Sequence, residues 1–269
     1  MAAPRRRSWA PPTDRSLPTS LRHVPVRDDP PDPLGRLEAL DGVASAMAAT
    51  RDGIDALLRD RGLRRTAPEL TARSLLHGAH ASAVLEGSTS GFEAVRDGHG
   101  DRTATASVRV SSELLGLLPT LSRSPLQAVA RLHTLAAKGL VADQDLGRPG
   151  DVGGAQRLHA LAGLLARPTT APALVVAAVA HAELATAAPF VSHNGLVARA
   201  VERLVLVARG VDEKSLVVPE AGHLALRPAY ESNLRGYRDG GAAGVHGWLL
   251  YAAEAYARGA EASPLADRA

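Results

Sequence analysis

The side chains with the most chemical potential gather in the second half of the chain. Residues 187–195 (AAPFVSHNG) set Ser192, His193, Asn194 and Gly195 directly before an apolar stretch that begins at Leu196. A short polar loop feeding a helix brings unpaired main-chain N–H groups and the positive end of the helix dipole to one point, and that point attracts anions whatever the side chains. Asn194 and Gly195 are therefore candidates to hold a phosphate; they read equally well as a helix cap and a tight turn into the helix. His193 lies beside that point and is the weak candidate for a base, since a lone loop histidine is more often solvated. His133 and His181 fall on apolar segments and read as hydrogen-bonded core or boundary residues. No spacing among the ten histidines makes a zinc site. Glu86 sits near the end of a helical segment, where the macrodipole disfavours a negative charge, and the bland reading is an exposed acid ahead of a C-capping Gly87.

Helices must position these residues. Leu37, Leu40, Val43, Ala44, Met47, Ile54, Leu57 and Leu58 recur at three- and four-residue steps, which predicts an amphipathic helix. Thr66 as N-cap and Pro68 in the first turn open a second helix through Leu70, Leu75, Leu76, Ala79 and Val84 that should stop at Gly87. Residues 87–103 read as loop with a short helix near Phe92–Val95. Further helices are expected at about 103–118, 124–138 (Ser124 at the N-cap, Pro125 at N1), 155–166, 172–186, 194–209, 228–237 and 242–258. The Gly- and Asp-rich run 143–154 is a connection, and 216–226 is the one segment that reads as extended. The expected class is all-α: a single helical domain with a helical N-terminal extension. Its expected divisions are a disordered basic and Pro-rich arm at 1–33, N-terminal helices at 34–100, a helical core at 101–260 and a frayed tail at 261–269.

Composition narrows the class further. The 269 residues are 45% apolar, enough to bury a real core, and only 3% aromatic. Cysteine is absent, which removes disulfides, thiolate metal sites and a cysteine nucleophile together and fits a reducing compartment. No apolar run is long enough to span a membrane, and no apolar region follows the N-terminal arginines as in a secretory signal, so a cytoplasmic location is expected. The whole chain carries a formal charge of +3. Residues 1–27 alone hold six arginines against Asp14, a net of +5, so the rest is acidic by two charges. The basic character belongs to the arm, and nucleic acid is not the expected partner.

With the helices in place, residues 188–199 resemble the Fic family, whose motif H-P-F-x-D/E-G-N-G-R lies between two buried helices. Pro189, Phe190, Asn194 and Gly195 fit it, and Arg199 fits a second arginine three residues beyond the first. Ala188 stands at the histidine, Ser192 at the acid, His193 at the first glycine and Leu196 at the first arginine. Residues 131–139 (RLHTLAAKG), 147–151 (GRPGD) and the helix bearing His181 and Glu183 resemble the segments that precede the motif in the family. Ser82–Gly87 (SAVLEG) is similar to the family's inhibitory-helix motif S/T-x-x-x-E-G/N, with Ser82, Glu86 and Gly87 at its defining positions.

The resemblance implies a fold built for protein adenylylation. In active members the histidine deprotonates a target hydroxyl, which attacks the α-phosphate of ATP, while the acid holds Mg²⁺ and the arginines and loop amides hold the phosphates. Here Ala188 offers no base, and no catalytic residue is retained. A neutral Ser192 is a poor ligand for a hard cation, so Mg²⁺ binding should be weak and no metal ligand is assigned. Leu196 cannot neutralise phosphate charge. Asn194, Gly195 and Arg199 remain as the nucleotide-binding set, and the resemblance pairs Glu86 with Arg199. The leading expectation is a catalytically impaired relative that binds ATP or another nucleotide and acts as a regulatory or interaction module for a protein partner. The alternative is an active transferase of AMP, or another phosphate-containing group, working by an altered route. A homodimer formed through the Leu- and Val-rich helices is a third class.

Overall fold

The structure is a computed structural model that describes residues 32–60 and 68–266. The arm at 1–31, the Thr66 cap and the last three residues lie outside the described residues. From Asp32 onward the chain belongs to one compact unit. Its regular elements are helical, with no strand among the described residues. They are α1 (Val43–Asp60), α2 (Pro68–Leu85), α3 (Phe92–Arg96), α4 (Arg102–Glu113), α5 (Leu118–Arg123), α6 (Pro125–Ala137), α7 (Val152–Ala166), α8 (Ala173–Ala187), α9 (Asn194–Ala208), α10 (Pro219–Ala225), α11 (Arg227–Asp239) and α12 (Gly241–Glu261). The all-α expectation holds.

The body is organised around α8 and α9, which pack along one another. From Leu174 to Ala182 every residue of α8 is buried, and so is every residue of α9 from Leu196 to Val207. Helices buried on all sides have no face left for solvent, so the others wrap them. Helix α6 covers one flank of α9; α12 spans α1, α8, α10 and α11. Helix α2 lies against α4, α9 and α10, which carries its C-terminal end to the start of α9.

Local chemistry sets the ends of the helices. Asp101 Oδ1 accepts the Ala104 N–H at 2.8 Å and Asp151 Oδ1 accepts the Gly154 N–H at 2.7 Å, capping α4 and α7. Prolines stand in the first turns of α5, α6, α10 and α11, where a missing N–H costs no hydrogen bond. Ser124 takes the N-cap position before Pro125 as expected, without a side-chain cap bond. Helix α2 stops at Leu85, and Gly87 adopts φ 90°, a left-handed conformation that relieves a helix C-terminus.

Several boundaries differ from the sequence reading. The first amphipathic run is a 3₁₀ turn at Gly35–Ala39 and then α1, separated where Gly42 turns to φ 72°. The single helix expected at 103–118 is α4, a 3₁₀ turn at Leu115–Leu117 and α5. The extended segment expected at 216–226 is instead helical from Pro219, after a buried run at Leu216–Val218. Its apolar residues are continuous because the α12 side covers them: the Val218 N–H bonds to Gly259 O at 2.9 Å. Added Cβ atoms at Gly222 or Gly259 would run into the facing backbone, so two glycines permit the close crossing of α10 and α12. The tail is not frayed as far as Ala266, for Ser263 and Leu265 are buried. Asp32, within the stretch read as arm, accepts hydrogen bonds from Leu34, Gly35, Thr169 and Thr170. No helix among the described residues is long and apolar enough to cross a membrane.

Candidate functional site

The loop between α8 and α9 is held from three sides. Ala188 caps α8 in the left-handed region (φ 42°, ψ 56°), and its N–H bonds to Leu184 O at 3.1 Å. His193 precedes α9 in the same region (φ 57°, ψ 21°). Two residues with side chains in a conformation that glycine tolerates best mark a loop whose shape the surroundings dictate. Asn194 closes it: its Oδ1 accepts the Phe190 N–H at 2.9 Å and its Nδ2 donates to Phe190 O at 2.8 Å. The Gly150 N–H bonds to Pro189 O at 2.8 Å, and Gly154 faces Pro189 so closely that a Cβ would not fit. The segment from Gly150 to Gly154 therefore braces the loop.

His133 anchors the loop from α6. Its ring stacks on Phe190 with centroids 4.1 Å apart and planes 4° from parallel. Its Nδ1 accepts the Gly147 N–H at 2.9 Å, so the proton of the neutral ring is on Nε2. Burial, with His193 nearby, pushes the ring pKa down to about 4. This agrees with the sequence reading of His133 as a core residue.

Ser82, Glu86 and Arg199 meet at the start of α9. Arg199 Nη2 lies 2.7 Å from Glu86 Oε1; the arginine side chain is 2% exposed and the glutamate side chain 27%. Arg199 Nε donates to Ser82 Oγ at 2.8 Å and Nη2 to Ser82 O at 3.2 Å. Ser82 and Glu86 are four apart on α2 and its last turn, so both reach the same side. Gly195 matters here, because a Cβ at that position would overlap Glu86 Oε1. The carboxylate thus lies against the first turn of α9, where unpaired amides collect. That favourable field answers the puzzle of an acid at the end of α2.

Ser192 Oγ lies 2.6 Å from His193 Nδ1, a hydroxyl and imidazole in direct hydrogen-bond contact on the loop. Burial holds the His193 pKa below the ordinary histidine value, while the Glu86 charge pulls the other way. Leu196 is 2% exposed and part of the core.

A buried polar network behind Arg199 escaped the sequence reading. Arg199 Nη1 donates to Tyr230 Oη at 3.0 Å, which in turn lies 3.0 Å from His181 Nε2. His181 Nδ1 is 2.9 Å from Glu202 Oε1, close to the carboxylate though out of line for an ideal hydrogen bond. Glu202 also accepts from Tyr256 Oη at 2.8 Å and faces His223 Nε2 at 2.9 Å, and His223 Nδ1 meets Tyr251 Oη at 2.8 Å. Burial pushes the His181 pKa down to about 4, with Glu202 opposing. Burial tends to raise the Glu202 carboxyl, but the two imidazoles together outweigh it and hold it below the usual carboxylate range. One turn along α9, Arg203 forms a second buried pair with Glu220 at 2.9 Å and donates to Ser74 and Ser215. A signal did exist: Arg199, Glu202 and Arg203 interrupt an otherwise apolar helix, and charges on a buried helix must find partners. Which partners they find depends on α2, α10, α11 and α12, far away in sequence.

No family model matches the chain, and no curated protein does. Solved structures do. A Fic family protein from Desulfovibrio desulfuricans G20 superposes with a TM-score of 0.64 at 19% identity, covering 81% of this chain and 73% of that one. A fragment of Fic-1 from C. elegans superposes with a TM-score of 0.62 at 16% identity, covering 80% of this chain and 69% of that one. The protein has the Fic fold. At these identities the fold is what is shared.

Proposed function

We propose that this Fic-fold chain keeps a phosphate-binding site at the start of α9, held shut by its own Glu86, and has lost the groups that transfer AMP. It would then act as a regulatory or interaction module whose nucleotide site senses or stabilises its state. The observation that carries this reading is the Glu86 carboxylate bonded to Arg199 against a glycine that leaves it room. A carboxylate in that position marks a site suited to an anion, and ATP phosphate is the anion the fold suggests. Arg199, the Gly195 amide and the loop pinned by Asn194 would hold it.

The residues present do not fit Mg²⁺. The position of the family's acid is Ser192, a neutral hydroxyl already engaged with His193, and the nearby carboxylate of Glu86 is committed to Arg199. Ala188 presents a methyl group where transfer needs a base.

The Ser192–His193 contact favours a second reading, an altered transferase in which His193 takes a proton from a hydroxyl. One experiment separates the two. Purified chain and its Glu86→Gly variant are incubated with α-labelled ATP and Mg²⁺, and ATP binding is followed by calorimetry. The proposal expects binding that tightens when Glu86 is removed, and no label on protein. Label that His193→Ala abolishes would establish the second reading instead.

A further inference from the structure

Arginine only donates hydrogen bonds, and this has a consequence for the residues behind the site. Because Arg199 Nη1 donates to Tyr230 Oη, the phenol proton must go elsewhere, and the acceptor within reach is His181 Nε2 at 3.0 Å. A neutral His181 that accepts at Nε2 carries its proton on Nδ1, which faces Glu202 Oε1 at 2.9 Å. The chain of donors runs in one direction, from Arg199 to a carboxylate with 0% exposure. It agrees with a neutral His181 and an ionised Glu202.

The same cluster could be mistaken for a metal site. One ligand atom each from His181, Glu202 and His223 lie within 4.8 Å of one another. A divalent ion would need the lone pair of His181 Nδ1, moving the proton to Nε2. Tyr230 would then receive hydrogen bonds from both Arg199 and His181, and its own proton would lose its acceptor in the core. The metal-free arrangement keeps the Tyr230 proton on an acceptor and leaves His181 Nδ1 beside the Glu202 carboxylate, though out of line with it.

We propose that Tyr230 and His181 are positioning residues for the anion site: they hold Arg199 in its phosphate-facing pose independently of Glu86. Without Glu86 the guanidinium keeps Ser82 on one side and the Tyr230 relay on the other, and Nη2 still faces the place the Glu86 carboxylate vacates. Tyr230 is a good acceptor because its own proton is drawn towards an imidazole backed by a carboxylate. The inference rests on the reading that the start of α9 binds phosphate.

The test is pyrophosphate and ATP binding by calorimetry in the Glu86→Gly chain, with melting temperature followed throughout. Adding Tyr230→Phe should weaken both ligands about tenfold or more, the loss of one hydrogen bond from a charged donor. His181→Phe should do the same, whereas His181→Gln, whose amide oxygen can accept from Tyr230, should stay within about threefold of the parent. Should Tyr230→Phe fail to fold, His181→Phe against His181→Gln gives the same comparison from the other end of the relay. Unchanged affinity in Tyr230→Phe overturns the inference alone, as does equal weakening by His181→Gln and His181→Phe. No binding to Glu86→Gly with Tyr230 and His181 intact overturns the phosphate reading and the inference with it. Stoichiometric zinc in the purified full chain would replace the relay with a metal site.

Discussion

Replacing Glu86 with alanine removes a carboxylate bonded directly to Arg199. The cost lies between two limits. Exposed ion pairs contribute about 0–1 kcal/mol, and breaking a fully buried pair costs about 3–5 kcal/mol because a buried charge is left uncompensated. Here the arginine side chain is 2% exposed and the glutamate 27%, so the site is open on the glutamate side. Water can therefore reach the vacated position, and Ser82 and Tyr230 still accept from three nitrogens of the guanidinium. The expected loss is about 1.5–3 kcal/mol, the range for hydrogen bonds to charged groups. For a body of this size it lowers the melting temperature by about 3–10 °C. Differential scanning calorimetry at neutral pH reads this directly. Because an anion can take the vacated place, pyrophosphate at about a hundred times its dissociation constant should return about 2.7 kcal/mol to the variant. Wild-type protein should gain less, since the ligand must first displace Glu86. A shift of less than a degree would refute the argument that the pair ties α2 to α9; a loss that pyrophosphate does not repair would refute the anion site.

Acid should destabilise the fold well above ordinary carboxylate values. His133 and His181 are both held down to about 4 by burial, so between pH 6.5 and 4 the unfolded chain binds protons that the native one excludes, and stability falls as pH falls. Each histidine contributes up to about 3 kcal/mol over that window, and the low Glu202 value adds a loss of the same sign at lower pH. Melting temperatures flat from pH 7 to pH 5 would contradict this, and His133→Phe should reduce the slope by about one proton. Asn194→Ala strips two bonds from the Phe190 backbone and should cost about 1–2 kcal/mol in urea unfolding while weakening pyrophosphate binding. An unchanged midpoint would mean that the loop holds its shape without Asn194. Transfer activity should require Ala188→His, Ser192→Asp, His193→Gly and Leu196→Arg together with Glu86→Gly, because these groups act as a unit. Strong labelling of protein by Ala188→His alone would show that the other losses do not matter.

Much of this protein could be read from its sequence, for local reasons. The three- and four-residue apolar spacing, prolines in first turns and Gly87 after Leu85 act through neighbours along the chain, so the all-α class and most helix positions follow from them. That Ala188, Ser192 and Leu196 carry no imidazole, carboxylate or guanidinium is legible in the same way, since a side chain's functional group does not depend on the fold. The pairing of Glu86 with Arg199 was expected only from a motif resemblance, and the tertiary structure supplies its physical reason. Packing of α2 across α9 brings a carboxylate to a helix N-terminus, and Gly195 leaves space for it. The helix at Pro219–Ala225 was not legible, and for the charges on α9 the sequence signalled that partners must exist but not which ones. Both depend on α12: Gly222 and Gly259 let α10 approach it, and Tyr251 and Tyr256 project from it into the network. Periodicity shows that a face is buried; only the contact between distant helices decides which buried charge meets which acceptor.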